Sequence, residues 1–419
     1  MKSNWTLIQK IGFRFIFLFL LLWASPWYWL PFVGDWLGDY AYYPAYWIRN
    51  TVLHQSPPVW SHAPTGSGDT YDDWLLLLFW LNIAVLGTAV WSIADRNRLH
   101  YERLAYWFRI GLRYYLSLVL FSYGFHKVYP HQMPFPNLAQ LHTPLGDLSP
   151  MRLSWLFLGY SAPYEIFGGI MEVMAGGLLL FKRTQLLGAI LAAIVMFNVM
   201  MFNYCYNIPV KLFSTQLFLI SCYLTLFERE RLYHFFFEHN IILQTSEYDP
   251  AFRSVHWKWI KQVIFTLFVG YYVFYVFYKE VQLEKQIKSQ ALFELYGAYE
   301  IKNFILNHNE IMNPVDTNRW NMLVMANGFS PGQSYGMIKR GTYLVDRTIQ
   351  SIDSTNAFSI TFRDDSTRNF KGKYLRVNEN ELKISGISKG DSIDLYLSKI
   401  NRQFKLEKKP FDWVMPFPN

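Results

Sequence analysis

Long apolar runs separated by short polar segments fill the first two thirds of the chain. A helix that crosses a membrane needs about 20 mostly apolar residues, because each residue adds about 1.5 Å across a hydrocarbon core about 30 Å thick. Seven stretches meet this requirement: 12–33, 73–94, 105–128, 163–181, 185–206, 212–227 and 259–278. The pattern predicts a mainly α-helical polytopic membrane protein, with about seven transmembrane helices in a domain over 1–280.

After about residue 285 the pattern changes to alternation of apolar and polar positions, as in AFSITFRDD (357–365) and DSIDLYLSKI (391–400). Successive side chains of a strand point to opposite faces, so this period is typical of antiparallel strands with one buried face. We therefore expect an all-β domain, a sandwich or an open barrel, over 318–419. Residues 284–307 have helical spacing, which predicts a helical connector over 281–317.

Basic residues are unevenly distributed between alternate connecting segments. If the N-terminus is cytoplasmic, the inner segments hold clusters such as RNR (96–98) and KR (182–183). The outer segments hold only single basic residues: Arg49, Lys127, Arg152 and Lys211. Because Lys and Arg are retained on the cytoplasmic side, this bias predicts a cytoplasmic N-terminus and, after seven spans, a C-terminal domain outside.

Composition agrees with a membrane protein: 52% of residues are hydrophobic and 17% are charged. The formal charge of +8 is explained by the basic inner segments, so we expect the lipid bilayer, and no nucleic acid, as the partner of this charge. The two cysteines, Cys205 and Cys222, form no C-x-x-C pair, and we expect no disulfide centre. All ten histidines lie in loops or at span ends, so we expect no haem held by two histidines inside the bundle.

Glu172 stands near the middle of the fourth predicted span, in PYEIFGGIMEVMAGGLLLF (163–181). It lies nine residues after Pro163, about 13 Å along a helix. A carboxyl group at that depth must pair with another group, be protonated or line a wet cavity. Two hypotheses follow: a neutral Glu172 that forms an interhelical packing bond, or a carboxyl group that belongs to a ligand or proton site.

Polar residues on neighbouring spans are the candidate partners of Glu172 in such a pocket. Individually, each has an ordinary structural explanation, such as a lysine reaching the headgroups or an asparagine bonding a neighbouring helix. Together they predict a polar seam through three consecutive spans, formed by Lys127, Arg113, Asn198, Asn203 and Asn207 around Glu172. Small residues allow helices to approach closely, and the predicted packing positions are Gly124, Gly168, Gly169, Gly176 and Gly177.

Histidines and aspartates on the predicted outer side are candidate metal ligands, namely His54, His62, His126, His131, His142, Asp69, Asp72 and Asp73. Their spacing matches no ligand signature. From the sequence we therefore expect no metal site.

The chain resembles the DoxX-like family of bacterial membrane proteins over about residues 105–227, at RYYLSLVLFSYGFHKVYP, EVMAGGLLLFKRTQLLGAI and NVMMFNYCYNIPVKLFS. The layout is similar to a long Bacteroidetes-type version with extra spans and an outer C-terminal domain. The resemblance implies a four-helix core in the bacterial inner membrane and a periplasmic C-terminal domain. It matches the family pattern at Gly124, Lys127, Glu172, Gly176 and Gly177. The founding member is a subunit of a thiosulfate:quinone oxidoreductase.

The sequence is compatible with three functions. The first is a redox-associated membrane subunit that binds a quinone or lipid beside Glu172, because a protonatable group in an apolar site suits proton exchange. The second is a non-enzymatic scaffold that binds lipid, or a partner protein on the outer side, through its β domain. The third is a carboxylase-like membrane enzyme, a group that also joins a helical bundle to a β-rich domain, although no catalytic motif is recognisable.

The predicted topology has a direct test. A reporter that is active only outside the cytoplasm should be active when fused after Asn419 and inactive when fused after Arg183. A reporter that folds only in the cytoplasm should show the opposite pattern at the same two positions. Activity of the first reporter at Arg183 and of the second at Asn419 would contradict the seven-span arrangement.

Overall fold

The computed structural model describes residues 5–24, 42–55, 69–238, 255–328, 333–353 and 357–408. The chain divides into two compact units. A helical unit comprises Met1–Gln132 and Pro163–Val281, and a β unit comprises Met133–Ala162 and Gln282–Asn419.

Helices are numbered here in chain order across both units. They are α1 (Leu7–Ala24), α2 (Tyr43–Trp47), α3 (Tyr71–Ala94), α4 (Glu102–Val128), α5 (Leu138–Leu141), α6 (Pro150–Tyr160), α7 (Ala162–Leu180), α8 (Gln185–Cys205), α9 (Lys211–Leu226), α10 (Arg229–Phe237), α11 (Val255–Ser289) and α12 (Lys405–Lys408). A π-helical turn, Ile48–Val52, continues α2.

Three of the described helices, α1, α3 and α8, are long and apolar enough to cross a membrane, and α9 is a shorter apolar helix. These helices indicate a membrane protein, as the apolar runs predict. Each of the seven predicted stretches overlaps a described helix. The first prediction, 12–33, extends past the end of α1 at Ala24, and residues 25–33 lie outside the described part of the chain.

The helical unit has a continuous apolar core in which Leu116 and Leu120 of α4 pack with Leu179 of α7 and Ile220 of α9. Helices α8 and α9 pack side by side, as do α1 and α3. Small residues at buried positions, such as Ala192 of α8, let the helices approach. Apolar burial of this kind excludes polar groups unless they are paired.

Buried ionic groups fix both ends of the α1–α3 region. Arg14 of α1 is 1% exposed and donates to the Tyr101 hydroxyl, the Ser92 hydroxyl and the Asp95 carbonyl. Near the start of α3, Arg49 donates to both carboxylate oxygens of Asp72 at 2.7 and 2.6 Å. Both arginines are thus held by several acceptors, which offsets the cost of removing their charges from water.

The strands form a closed antiparallel barrel. They are β1 (Gly297–Leu306), β2 (Asn309–Glu310), β3 (Trp320–Asn327), β4 (Gln333–Arg340), β5 (Leu344–Ile352), β6 (Ala357–Phe362), β7 (Phe370–Arg376), β8 (Glu381–Ser388) and β9 (Asp391–Lys399). From β3 to β9 each strand pairs with the next, and β1 pairs with both β3 and β9. Eight strands therefore close the barrel, and β2 is a short extension paired with β1.

Aromatic and aliphatic side chains fill the barrel. Phe304, Trp320, Phe358 and Phe370 lie in one cluster with Leu395. From Trp320 onward, these residues occupy the buried positions of alternating strands, as the sequence pattern predicts for 318–419. Closure leaves no long unpaired edge in the described sheet, because β1 and β9 exchange hydrogen bonds from Tyr299↔Lys399 to Leu306↔Ile393.

The predicted helical connector over 281–317 needs correction. The helix α11 ends at Ser289, and β1 occupies Gly297–Leu306. A β-bulge between Ile301 and Asn303 shifts the register, so the buried residues Tyr299, Ile301 and Phe304 are spaced by two and then by three. An inserted residue of this kind gives a strand a spacing that resembles a helix. The β domain therefore begins about 20 residues before the predicted boundary at 318.

Residues 133–162 belong to the β unit, although the sequence pattern grouped them with the transmembrane domain. Leu138 and Ala139 of α5 pack against Val324 and Met337 on the barrel. His142 contacts Phe404 edge-on at 4.9 Å between ring centroids. Burial, and then the charge of Arg402, lower the pKa of His142, which favours its neutral imidazole.

Candidate functional site in the helical unit

Glycines bring the backbones of α4 and α7 into direct contact. A Cβ atom added at Gly169 would lie 2.6 Å from the Gly124 carbonyl oxygen and 2.7 Å from the Val128 nitrogen. A Cβ atom added at Gly176 would lie 3.1 Å from the Ser117 carbonyl oxygen. Any larger residue at Gly169 would push the helices apart, as expected for small-residue packing.

Of the five predicted packing glycines, Gly124, Gly169 and Gly176 lie in this contact. Gly168 and Gly177 have no atom within 4 Å of an added Cβ. The hydroxyl of Ser117 donates to the Gly176 carbonyl oxygen at 2.7 Å, in a fully buried position. This bond fixes the two helices against each other one turn beyond Glu172.

Lys127 and Glu172 form a buried ion pair at the same contact. The Lys127 ammonium donates to Oε1 of Glu172, and the two side chains are 13% and 2% exposed. Gly169 lies one turn before Glu172, and a Cβ added there would be 2.8 Å from the Lys127 Cβ. Because Gly169 has no side chain, Lys127 has room to extend along α7 to the carboxylate of Glu172.

The second carboxylate oxygen of Glu172, Oε2, is buried and has no hydrogen-bond partner among the described residues. A carboxylate can accept several hydrogen bonds, and a buried acceptor without one costs about 1–3 kcal/mol. The ammonium of Lys127 offsets the charge of Glu172 but leaves this acceptor unused. The site can therefore accept one more donor, from a hydroxyl or N–H group that enters it.

Arg113 does not lie beside Glu172. Its guanidinium donates to Oε1 of Gln185 and, at 3.1 Å, to the Tyr114 hydroxyl. Arg113 and Lys127 lie 14 residues apart on α4, or about 21 Å along the helix axis. The amide of Gln185, at the start of α8, is a nearer acceptor than any group at the level of Glu172.

The three predicted asparagines also lie apart from the pair. Asn198 is exposed on α8. Asn203 donates to the Val210 carbonyl oxygen at 3.3 Å, and Asn207 accepts from the Lys211 ammonium at 2.9 Å. Asn207 has a φ of 51°, a left-handed conformation that asparagine adopts more readily than most residues. Asn203 and Asn207 order the turn between α8 and α9, and the predicted seam reduces to Lys127 and Glu172.

A second group of ionisable residues meets at the end of α4. Oε2 of Glu280 lies 3.1 Å from Nδ1 of His126 and 2.9 Å from Nδ1 of His131. The sequence pattern identified both histidines but not Glu280, which is separated from them by about 150 positions in the chain. The sequence feature that could have identified Glu280 is its position: it is a lone carboxylate two residues past the seventh predicted span, on the same predicted side as the histidines. Of the other predicted outer residues, His62 lies outside the described part of the chain.

The chain is similar to a known protein over part of its length. No protein-family model matches the chain, and no solved structure matches it. The chain is 31% identical over 128 residues to YwoB, an uncharacterized protein of Bacillus subtilis (strain 168). The matched region covers 28% of this chain and 75% of that relative.

The glycine contact predicts different effects for the same substitution at two adjacent residues. Gly169→Ala should lower the thermal unfolding temperature of the detergent-purified protein, because its new methyl group would overlap the α4 backbone. Gly168→Ala is the matched control: it adds the same methyl group to open space and should have no effect or stabilise α7 slightly, by up to about 1 kcal/mol. Equal unfolding temperatures for the two variants would contradict the close approach of α4 and α7.

Proposed function

The chain belongs to the family of the uncharacterized Bacillus subtilis protein YwoB. We propose that its helical unit is a seven-span, DoxX-like membrane domain. In this proposal, the domain binds a quinone or another lipid-like molecule beside Glu172. Three helices long and apolar enough to cross a membrane support a membrane domain. Helices at the remaining predicted stretches support the larger number of spans. The motifs around Lys127, Glu172 and Gly176 support the DoxX-like core.

In this proposal the protein lies in the bacterial inner membrane, with its N-terminus in the cytoplasm and its barrel in the periplasm. The distribution of basic residues between alternate connecting segments supports this orientation. The same orientation places Lys127 toward the outer end of α4. A ligand beside Glu172 would then enter from the outer half of the bilayer.

The observation that carries the proposal is the unused Oε2 of Glu172 beside the Lys127 ammonium. Charged groups inside a membrane domain are costly and commonly mark substrate or proton pathways. A quinone carbonyl can accept a hydrogen bond from the ammonium, and a quinol hydroxyl can donate to the free carboxylate oxygen. The pair thus offers one group for each form of a quinone, and one donor and one acceptor for a lipid-like alcohol.

Glu172 then exchanges a proton with the bound molecule, and Lys127 stabilises the carboxylate between exchanges. Both cysteines of the chain are free thiols, and the electrons of a quinone reaction would pass through a partner protein or a bound cofactor. The proposed role is therefore that of a redox-associated subunit rather than a complete enzyme.

A second candidate function is a scaffold or lipid-handling protein that acts through the barrel. Large apolar side chains at strand ends favour it. Tyr343 and Leu344 are 82% and 43% exposed at the turn between β4 and β5, and Leu375 and Val377 are 62% and 57% exposed at the end of β7. If these side chains form one contiguous apolar patch, it would suit contact with another protein or a lipid.

The two functions can be separated by the lipid content of purified variants. Full-length protein is purified in mild detergent, and co-purifying quinones and lipids are extracted and identified by mass spectrometry. Wild-type protein should retain a quinone or a defined lipid. Glu172→Gln should lose it and unfold at lower temperature, because breaking a buried ion pair costs about 3–5 kcal/mol.

The double variant Lys127→Met with Glu172→Leu distinguishes ligand binding from stability. Replacing both members of a buried pair by apolar residues is often neutral or stabilising, so this protein should be about as stable as wild type yet retain none of the molecule. The matched control is Arg49→Met with Asp72→Leu, which removes another buried pair and should keep the molecule. Full retention in the Lys127/Glu172 double variant, or a wild type without any retained molecule, would contradict the proposal.

A further inference from the structure

We propose that His126, His131 and Glu280 bind one divalent transition-metal ion of the zinc class. The three ligand atoms lie within 4.8 Å of one another. All three residues belong to the helical unit. They come from two elements that meet only in the folded chain, the end of α4 and the following turn on one side and α11 on the other.

The donor atoms converge on a common point. Nδ1 of His126 lies 3.2 and 3.1 Å from the two carboxylate oxygens of Glu280, and Nδ1 of His131 lies 2.9 Å from Oε2. Zinc binds nitrogen and carboxylate oxygen at about 2.0–2.2 Å, so tetrahedral ligand atoms lie about 3.4 Å apart. The separations of the two histidine nitrogens from Oε2 of Glu280, 3.1 and 2.9 Å, lie within about half an ångström of that value.

The donor set suits zinc rather than a hard cation. Two imidazole nitrogens and one carboxylate oxygen are the protein ligands of many zinc sites that keep a fourth position open, whereas calcium and magnesium prefer oxygen donors throughout. Two neutral imidazoles and one carboxylate leave a divalent ion with one net positive charge. The fourth position would then take a water molecule or an anionic group.

Aromatic contacts hold the donors in place. The backbone N–H of His131 donates to the His126 carbonyl oxygen at 3.2 Å, and Tyr129 stacks on the His131 ring at 6.0 Å. Phe125 and Tyr129 each lie 5.9 Å from the ring of Phe277, three residues before Glu280. These contacts join the end of α4 and the following turn to α11, which places the three donors on one packed contact.

Burial is graded across the three side chains. His131 is 5% exposed and Glu280 12%, whereas His126 is 37% exposed. The ion could therefore enter from the side of His126. A histidine–carboxylate pair elsewhere in the described chain, His234 and Glu238, is an i,i+4 pair with partly exposed side chains, so it provides a matched control.

The site is independent of the proposed ligand site beside Glu172. Lys127 follows His126 in the chain, but consecutive residues of a helix point about 100° apart. The Lys127 ammonium is bound to Glu172, and the His126 imidazole is bound to Glu280. Metal binding can therefore be present or absent whatever the function of Glu172.

The test uses full-length protein with an affinity tag that contains no histidine, purified in detergent and stripped of metal with a chelator. Co²⁺ serves as the probe, because it replaces zinc and absorbs visible light strongly in tetrahedral sites. We expect about one Co²⁺ per chain with such an absorption, displaced by added Zn²⁺. His131→Ala and Glu280→Gln should weaken binding by at least about 10-fold, the smallest loss usual even for residues that only support metal ligands.

Two further variants make the outcome decisive. His126→Ala replaces the most exposed donor, so it should fold normally and still weaken Co²⁺ binding by at least about 10-fold. His234→Ala should leave Co²⁺ binding unchanged. A wild-type protein that binds no more Co²⁺ than the His126→Ala, Glu280→Gln double variant would overturn the proposal, and the three residues would then be only a hydrogen-bonded group. Equal binding by wild type, His126→Ala and Glu280→Gln would overturn it as well.

Discussion

The ion pair between Lys127 and Glu172 is the interaction on which the centre of the helical unit depends. Glu172 is 2% exposed in a helix whose neighbours are almost all apolar, so its carboxylate requires a counter-charge within reach. Among the described residues, Lys127 supplies this counter-charge, and its side chain has room beside α7 because Gly169 has no side chain. The glycine contact and the charge are therefore one structural feature: a larger residue at Gly169 would separate the helices and also block the lysine.

Local partners explain why the rest of the predicted polar seam does not converge. Arg113 finds the amide of Gln185, and Asn203 and Asn207 order the turn before α9. Hydropathy shows which residues lie within a run, but it does not show how each helix is rotated about its axis. Lys127 and Asn198 both lie on long helices next to α7 in the chain, so both are candidate partners of Glu172. Lys127 faces Glu172, whereas Asn198 faces outward on α8.

Some elements and site residues of the two units follow from the sequence pattern and others do not, for physical reasons. Apolar runs of 18 or more residues and strict alternation are strong signals, so the helical region and the β domain both follow from the sequence. The strand β1 does not, because its bulge at Ile301–Asn303 gives it a mixed spacing. Barrel closure depends on that strand, because β1 pairs with both β3 and β9 and so joins the first and last strands of the barrel. Glu280 was missed for another reason: its partners lie about 150 residues earlier, and contacts at that separation leave no local pattern.

The most direct test of the central claim exchanges the two charges. Thermal unfolding in detergent is measured for Lys127→Glu, Glu172→Lys and the double variant that carries both. Each single variant places two like charges side by side in an apolar bundle and should unfold well below the wild-type temperature. If the pair holds α4 and α7 together, the double variant should recover most of the loss, because an ammonium again faces a carboxylate. If the double variant loses as much thermal stability as the two single variants together, the charges do not interact. That result would contradict the account.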